Sequence, residues 1–291
     1  MKWRGRRGSS NIDDRRASGG SGGGRGRGTR IGGIGLVAVV ILGMVFGVDP
    51  AMLLGVLDGG GGYVEQQPRS QGQNRIDGPT EEFIAVVLAD TEEIWGTIFS
   101  EQLGRSYAPP TLVLFSGRTN SACGGATAAS GPFYCPADKQ AYLDTSFFAL
   151  LEQRLGAHGD FAQAYVIAHE IGHHVQNELG ILPEINRRRA GAPEAEANAL
   201  SVRLELQADC FSGVWARQAS DRFASLEHGD IEEALNAASR IGDDVLQKQA
   251  RGYAVPDSFT HGSSAQRVRW FETGYRSGDI RDCDTFAATA L

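Results

Sequence analysis

The chain has 291 residues, room for one good-sized domain or two small ones. Its net charge is −7, yet residues 1–30 carry 9 Lys/Arg against Asp13 and Asp14 alone, a local +7 that leaves −14 for the remainder. An acidic main body argues against nucleic acid as a substrate.

Residues 1–30 are rich in Gly, Arg and Ser and nearly devoid of apolar groups, so they are expected to form a disordered basic arm. Ile31 to Val48 reads IGGIGLVAVVILGMVFGV, 18 residues without a charge, near the lower limit for a membrane-spanning helix. Arg25, Arg27 and Arg30 precede it and Asp49 follows. The positive-inside rule then predicts a cytoplasmic N-terminus and everything after Asp49 outside. The rivals are a cleavable signal peptide and a buried core helix. Against the signal peptide stand the long leading segment and GMVFGVDPAML, which has no clean small-x-small cleavage site. Residues 49–78, with a GGGG run and many polar groups, are expected to be a flexible linker to a folded domain over residues 79–291.

That domain is predicted to be α+β, mostly helical with a small sheet. Thr80 can cap a first helix in which Ile84, Val87, Leu88, Ile94, Trp95 and Phe99 recur at helical spacing. Thr111–Phe115 follows a double proline and reads as a strand. Gly131–Cys135 and Gln140–Asp144 read as two strands of a hairpin, with residues 136–139 turning between them. A short helix is expected from Ser146 to Leu155. Another runs from an Asp160 cap to about Leu179, stopped by Gly180. Longer helical patterns cover Pro193 to about Ser220, the stretch starting at Gly229–Asp230, and Ser263 to Tyr275.

Cysteine usage fits export. Cys123 and Cys135 bracket a Gly- and Ser-rich loop that a disulfide closes easily, and Cys210 and Cys283 remain as a second possible pair. A structural zinc built from all four lacks any C-x2-C spacing. A buried free thiol is the alternative for Cys210.

The chemistry sits in the helix after Asp160, which contains His169-Glu170-Ile171-Gly172-His173. Imidazoles four residues apart share one helix face and can grip one zinc ion, and the glutamate between them can act as general base. Six histidines in the whole chain make a chance occurrence uncommon but not negligible, so context matters. A third histidine six positions beyond the second would complete a metzincin set, but that residue is Leu179. Glu205 and Asp209 are the candidates instead, four apart on a helix among Leu204, Leu206, Ala208 and Phe211. An exposed carboxylate pair is the bland reading. Apolar neighbours favour buried carboxylates, which need a cation or donors. Glu205 is thus the expected third ligand, and Asp209 the acceptor that fixes a histidine tautomer.

His174 points away around the helix and is expected to pack in the core. Gly172 permits a close approach of a facing helix. His261, in a loop before the last helix, is a candidate catalytic residue that can stabilise an oxyanion or orient a carboxylate. Arg267 and Arg269 can pair with helix carboxylates. His158 and His228 read as surface residues.

HEIGHHVQ, followed by ELQADCFSGVWA and THGSSAQRVRWF, is similar to the neutral zinc metallopeptidases of bacteria, a membrane-anchored family. HExxH with a downstream ExxxD also resembles the gluzincins of the HtpX and CAAX-prenyl protease type. The resemblance covers nearly the whole chain and implies a helical zincin domain, with His169, His173 and Glu205 holding Zn2+ and Glu170 as base. It also implies a strand that lines the cleft and binds extended substrate, in the place of GPFYC and QAYLD. The HtpX group has several membrane spans, whereas this chain offers one. The expected protein is therefore a single-pass zinc endopeptidase of the bacterial inner membrane, acting on proteins or peptides in the periplasm or outside the cell. An inactive, zinc-stabilised scaffold attached to the membrane is the alternative from another class. A nucleic-acid binder resting on the Arg/Gly arm alone is the weakest.

Overall fold

The computed structural model describes residues 1–16 and 78–291. The expected anchor, the linker up to residue 77 and residues 17–30 of the arm lie outside the described residues. Among the described residues no helix is long and apolar enough to cross a membrane.

In chain order the elements are β1 (Ile12–Asp14), α1 (Pro79–Leu103), β2 (Thr111–Phe115), β3 (Arg118–Ser121), β4 (Gly124–Thr127), β5 (Phe133–Cys135) and β6 (Gln140–Asp144). The helices α2 (Ser146–Gln153), α3 (Asp160–Glu178), α4 (Ile181–Ala190), α5 (Glu194–Phe223), α6 (Asp230–Arg240), α7 (Asp243–Arg251) and α8 (Ser264–Ser277) follow. The α+β expectation, mostly helical with a small sheet, holds.

The main sheet has the order β1-β2-β6-β5. β1 and β6 flank β2 in parallel, and β5 runs antiparallel to β6 as the hairpin pattern predicts. β6 is therefore interior, and of the two segments expected to line a cleft only β5 lies at an edge of the sheet among the described residues. A second hairpin, β3–β4, was not visible in its Gly- and Ser-rich sequence. The Cys123–Cys135 disulfide ties it to the end of β5, with Cα atoms 5.8 Å apart.

Residues 1–16 correct the expectation of a disordered arm. They lie along α1, whose residues Phe83 to Thr91 are all buried, as befits a helix covered on every side. Trp3 packs edge-on against Phe83 with ring centroids 5.6 Å apart, and its indole N–H donates to Asp160 at 3.0 Å. Arg6 makes a two-pronged bond to Asp90, 2.7 Å on each arm. The Ser9 N–H donates to the Ala85 carbonyl at 2.8 Å, and Ile12 pairs with Leu112 in the sheet. The amino group of Met1 stands 2.6 Å from Asp160 and 3.3 Å from Asp230. It neutralises an acidic cluster that Glu233 completes.

Two helix starts differ from expectation. Pro79, with its preset φ, opens α1 in place of a Thr80 cap. At α3 the Glu233 carboxylate from α6 accepts the Phe161 N–H at 3.0 Å, because Asp160 is engaged by Trp3 and Met1. The helix after Gly229 breaks at residues 241–242, since a side chain on Gly242 would collide with Ser264 and the Asp243 carboxylate is needed by the loop before α8. Helix α4 was not anticipated.

The long helix α5 forms the spine. It packs on α3 and crosses α8 at a glycine pair: a Cβ on Gly274 would strike the Cys210 carbonyl, and one on Gly213 the Phe271 carbonyl. Helix α8 begins with a capping box between Ser263 and Gln266. Just beyond its end Cys283 is bonded to Cys210, with Cα atoms 5.6 Å apart, so no free cysteine is present among the described residues. The shared α3–α5–α8 core, with Tyr165, Phe211, Trp215 and Phe271 fully buried, is what places the site residues.

Candidate metal centre

His169 and His173 leave α3 one turn apart and face α5. Helices α3 and α5 meet closely at Gly172, where a Cβ would lie only 3.1 Å from the Ala208 carbonyl. That approach brings Glu205 across from both imidazoles. Its carboxylate oxygens lie 3.2 Å from His169 Nε2 and 3.5 Å from His173 Nε2. One donor atom of each residue can be chosen so that all three lie within 4.8 Å of one another.

The fit to zinc can be tested by geometry. Nitrogen and oxygen ligands at about 2.1 Å from a tetrahedral ion are separated by about 3.4 Å. The two His–Glu spacings bracket that figure. The donor set, two imidazoles and a carboxylate, is one that catalytic zinc accepts. The side chains of His169, His173 and Glu205 are 9 %, 14 % and 19 % exposed, so the cluster is nearly dry yet open on one side.

Each imidazole has its other nitrogen engaged. His169 Nδ1 lies 2.9 Å from Asp209 Oδ1, and His173 Nδ1 lies 2.9 Å from Gln176 Oε1. With Nδ1 turned to these partners, each Nε2 is the ring atom that faces Glu205 and that a metal would engage once its proton is displaced. Gln176 is itself pinned, donating to the Leu204 carbonyl at 2.7 Å and to Gln207 at 3.1 Å. Asp209 is fully buried and satisfied from three sides: by His169, by the Tyr165 hydroxyl at 2.5 Å, and by Arg267 Nε at 2.9 Å and Nη2 at 3.0 Å.

Electrostatics follow from this packing. Burial opposes the ionised form of Asp209, but Arg267 and His169 outweigh it and hold the carboxyl below its usual range. Glu205 is likewise held well below the usual range, against burial, by His173, His169 and His261. Burial would lower the His169 pKa, but Asp209 and Glu205 lift it to about 10, so in the metal-free chain this imidazole keeps a proton that a metal must displace. Burial is the main reason the Glu170 carboxyl is raised, with Glu205 adding and the two imidazoles opposing.

His261 sits in the loop before α8, beside the Glu205 face of α5. The next residue, Gly262, has positive φ, and a Cβ there would press within 3.2 Å of Leu206 and 3.4 Å of Val202. Its Nδ1 lies 3.2 Å from Asp243 Oδ1, and the same carboxylate accepts its backbone N–H at 2.7 Å. Burial would lower the His261 pKa; Asp243 and Glu205 raise it above its ordinary value.

The remaining candidates fall where expected or away from the site. His174 is core: Nδ1 meets the Tyr134 hydroxyl at 3.0 Å and Nε2 the Ala108 carbonyl at 2.7 Å. His158 and His228 are exposed. Arg267 is a buried partner of Asp209, whereas Arg269 donates to the Leu291 carbonyl at 3.4 Å, away from the site. Three participants escaped the sequence reading: Tyr165, Gln176 and Asp243. Gln176 was findable, since it stands one helical turn after His173. The other two depend on contacts distant in sequence.

The "Putative neutral zinc metallopeptidase" family model matches residues 1–286. The chain is 49 % identical over 295 aligned positions to the "Uncharacterized protein YpfJ" of Escherichia coli strain K12, covering 98 % of this chain and 99 % of the relative. It is 42 % identical over 261 positions to the "Uncharacterized protein Mb2605" of Mycobacterium bovis, covering 83 % and 86 % of the two chains. The "Uncharacterized protein Rv2575" of Mycobacterium tuberculosis strain H37Rv matches to the same extent. No solved structure matches. The chain belongs to the family described as "Putative neutral zinc metallopeptidase".

Proposed function

We propose that the chain is a zinc-dependent endopeptidase that hydrolyses peptide bonds in proteins or peptides outside the cytoplasm. The observation that carries this reading is the convergence of His169, His173 and Glu205 with Glu170 between the two imidazoles on the same helix. Zinc held by the three would supply Lewis acidity to the scissile carbonyl and to the attacking water.

The chain's own residues supply the rest. Glu170 takes a proton from the attacking water and delivers it to the leaving amine, a task its raised pKa suits. His261, held by Asp243, donates a hydrogen bond to the oxygen that gains charge. Asp209 and Gln176 keep both imidazoles in the tautomer that frees Nε2. β5, an edge strand among the described residues, aligns an extended peptide by backbone hydrogen bonds, which reads side chains weakly and suits broad specificity. The two disulfides support an oxidising compartment. An inactive scaffold is disfavoured: a structural zinc is usually closed by four protein ligands, and three residues gather here among those described.

The deciding comparison is Glu170→Gln against the native full-length chain, assayed on denatured proteins with and without a chelator. Native cleavage should vanish with chelation and return with zinc. The variant should retain zinc and lose roughly 10²- to 10⁴-fold in kcat. Undiminished hydrolysis by a zinc-loaded variant would rule out Glu170 as the base.

A further inference from the structure

The N-terminal segment and the domain that begins some sixty residues later (16 to 78) are one folded body. β1 is a strand of the main sheet, in parallel register with β2 from Ile12↔Leu112 to Asp14↔Leu114. Leu112 donates to the Asn11 carbonyl at 2.8 Å, and Arg15 donates to the Leu114 carbonyl at 2.8 Å. Trp3 and Ile12 are 7 % and 5 % exposed. Detaching the segment would uncover both, strip one face of α1, and leave Asp90, 4 % exposed, without its guanidinium partner. A buried carboxylate stripped of its counter-charge is expensive.

We infer that residues 1–16 and residues 78–291 occupy the same face of any membrane, so the chain between them crosses a bilayer an even number of times or not at all. Strands bonded at 2.8 Å cannot be separated by a hydrocarbon layer of about 30 Å. The expected arrangement, with the N-terminus on one side and the domain on the other, gives way. The basic residues of 1–30 favour the cytoplasmic face and the two disulfides favour an oxidising one. A single crossing would satisfy both preferences, and the docking forbids it. This inference rests on the sheet and on α1, independently of the peptidase reading.

The test uses the full-length chain in bacterial cells whose inner membrane face is made accessible. Two single variants report position: Arg7→Cys in the segment and Glu101→Cys in the domain, whose native side chains are 64 % and 70 % exposed. The native cysteines are paired and silent to maleimide. A membrane-impermeant maleimide should reach both positions before lysis, or both only after it, with the same labelled fraction; labelling of both before lysis puts the whole unit outside. Labelling of one position in intact cells and the other only after lysis would overturn the inference. A third variant, Arg7→Cys/Glu93→Cys, guards against misfolding, since the native side chains meet at 3.9 Å. A short bis-maleimide should link this pair, giving a monomer-sized product, or a dimer if copies exchange segments; either keeps segment and domain together. Failure to link in a folded, labelled protein counts against docking.

Discussion

His169 Nδ1 stands 2.9 Å from Asp209 Oδ1, and Asp209 is in turn gripped by Arg267 through both of its oxygens. Three helices thus meet on one carboxylate: α3 brings the imidazole, α5 the aspartate and α8 the guanidinium. The consequence is a His169 ring that cannot rotate and a Nε2 directed at Glu205.

Asp209→Asn should weaken zinc binding by roughly 10- to 100-fold, the usual cost of losing a carboxylate behind a metal-bound histidine. Competition with a chromogenic chelator measures it directly. Unaltered affinity in a folded variant would leave Asp209 with a purely structural part.

The Asp243–His261 pair predicts a pH signature. Asp243 is held below its ordinary value, against burial, by the His261 side chain and by backbone N–H groups, while His261 is raised. A raised histidine contributes stability that is fully present below its unfolded pKa of about 6.5 and is lost as pH climbs through the folded value. A depressed aspartate contributes stability that is present above about 3.8 and is lost as pH falls through its folded value. The pair therefore stabilises fully from about 3.8 to about 6.5. Asp243→Asn should lower the His261 pKa, read from its ring proton shifts, and move the alkaline limb of kcat/KM to lower pH. An unmoved limb would separate His261 from the rate.

Gly274→Ala tests the α5–α8 crossing. The added methyl meets the Cys210 carbonyl, which is backbone and cannot rotate away. Overpacking of this kind costs about 1–3 kcal/mol or more. Thermal unfolding should show it, and zinc affinity should fall too, because the shift displaces Arg267 from Asp209.

The N-terminal segment makes a fourth prediction. Trp3→Ala should destabilise the full-length protein by about 3 kcal/mol in urea unfolding, as expected for deleting a buried indole. Burial pushes the Asp90 pKa up to about 6 in spite of Arg6, so its ionisation already costs stability as pH rises from 3.8 through that value. Arg6→Ala removes the counter-charge and raises Asp90 further. Its destabilisation should be larger near about pH 8 than near about pH 5.

Much of this was readable locally. His169, Glu170 and His173 announce themselves by spacing within one helix, and the β5–β6 hairpin by two short aromatic-containing runs on either side of a four-residue turn. Glu205 and Asp209 stood out because carboxylates amid Leu204, Leu206, Ala208 and Phe211 need a buried partner. Gln176 was within reach of the same helical arithmetic. Tyr165 and Asp243 were not, since each is recognisable only through what it touches across helices; Arg267 was expected to pair with a helix carboxylate, and the fold names Asp209 as that partner.

β1 marks the boundary most sharply. Its three residues sit in a Gly/Arg-rich stretch whose composition reads as disorder, and their partner strand lies about a hundred residues further along. Composition records whether a segment can bury itself, and residues 1–16 cannot. It does not record that α1 and the β2 edge are waiting to bury them. The sequence by itself determined that His169 and His173 share a helix face with Glu170 between them, because helical periodicity is a local rule. Only the tertiary structure decided how those donors are oriented and where the N-terminus lies, because both depend on contacts between residues far apart in the chain.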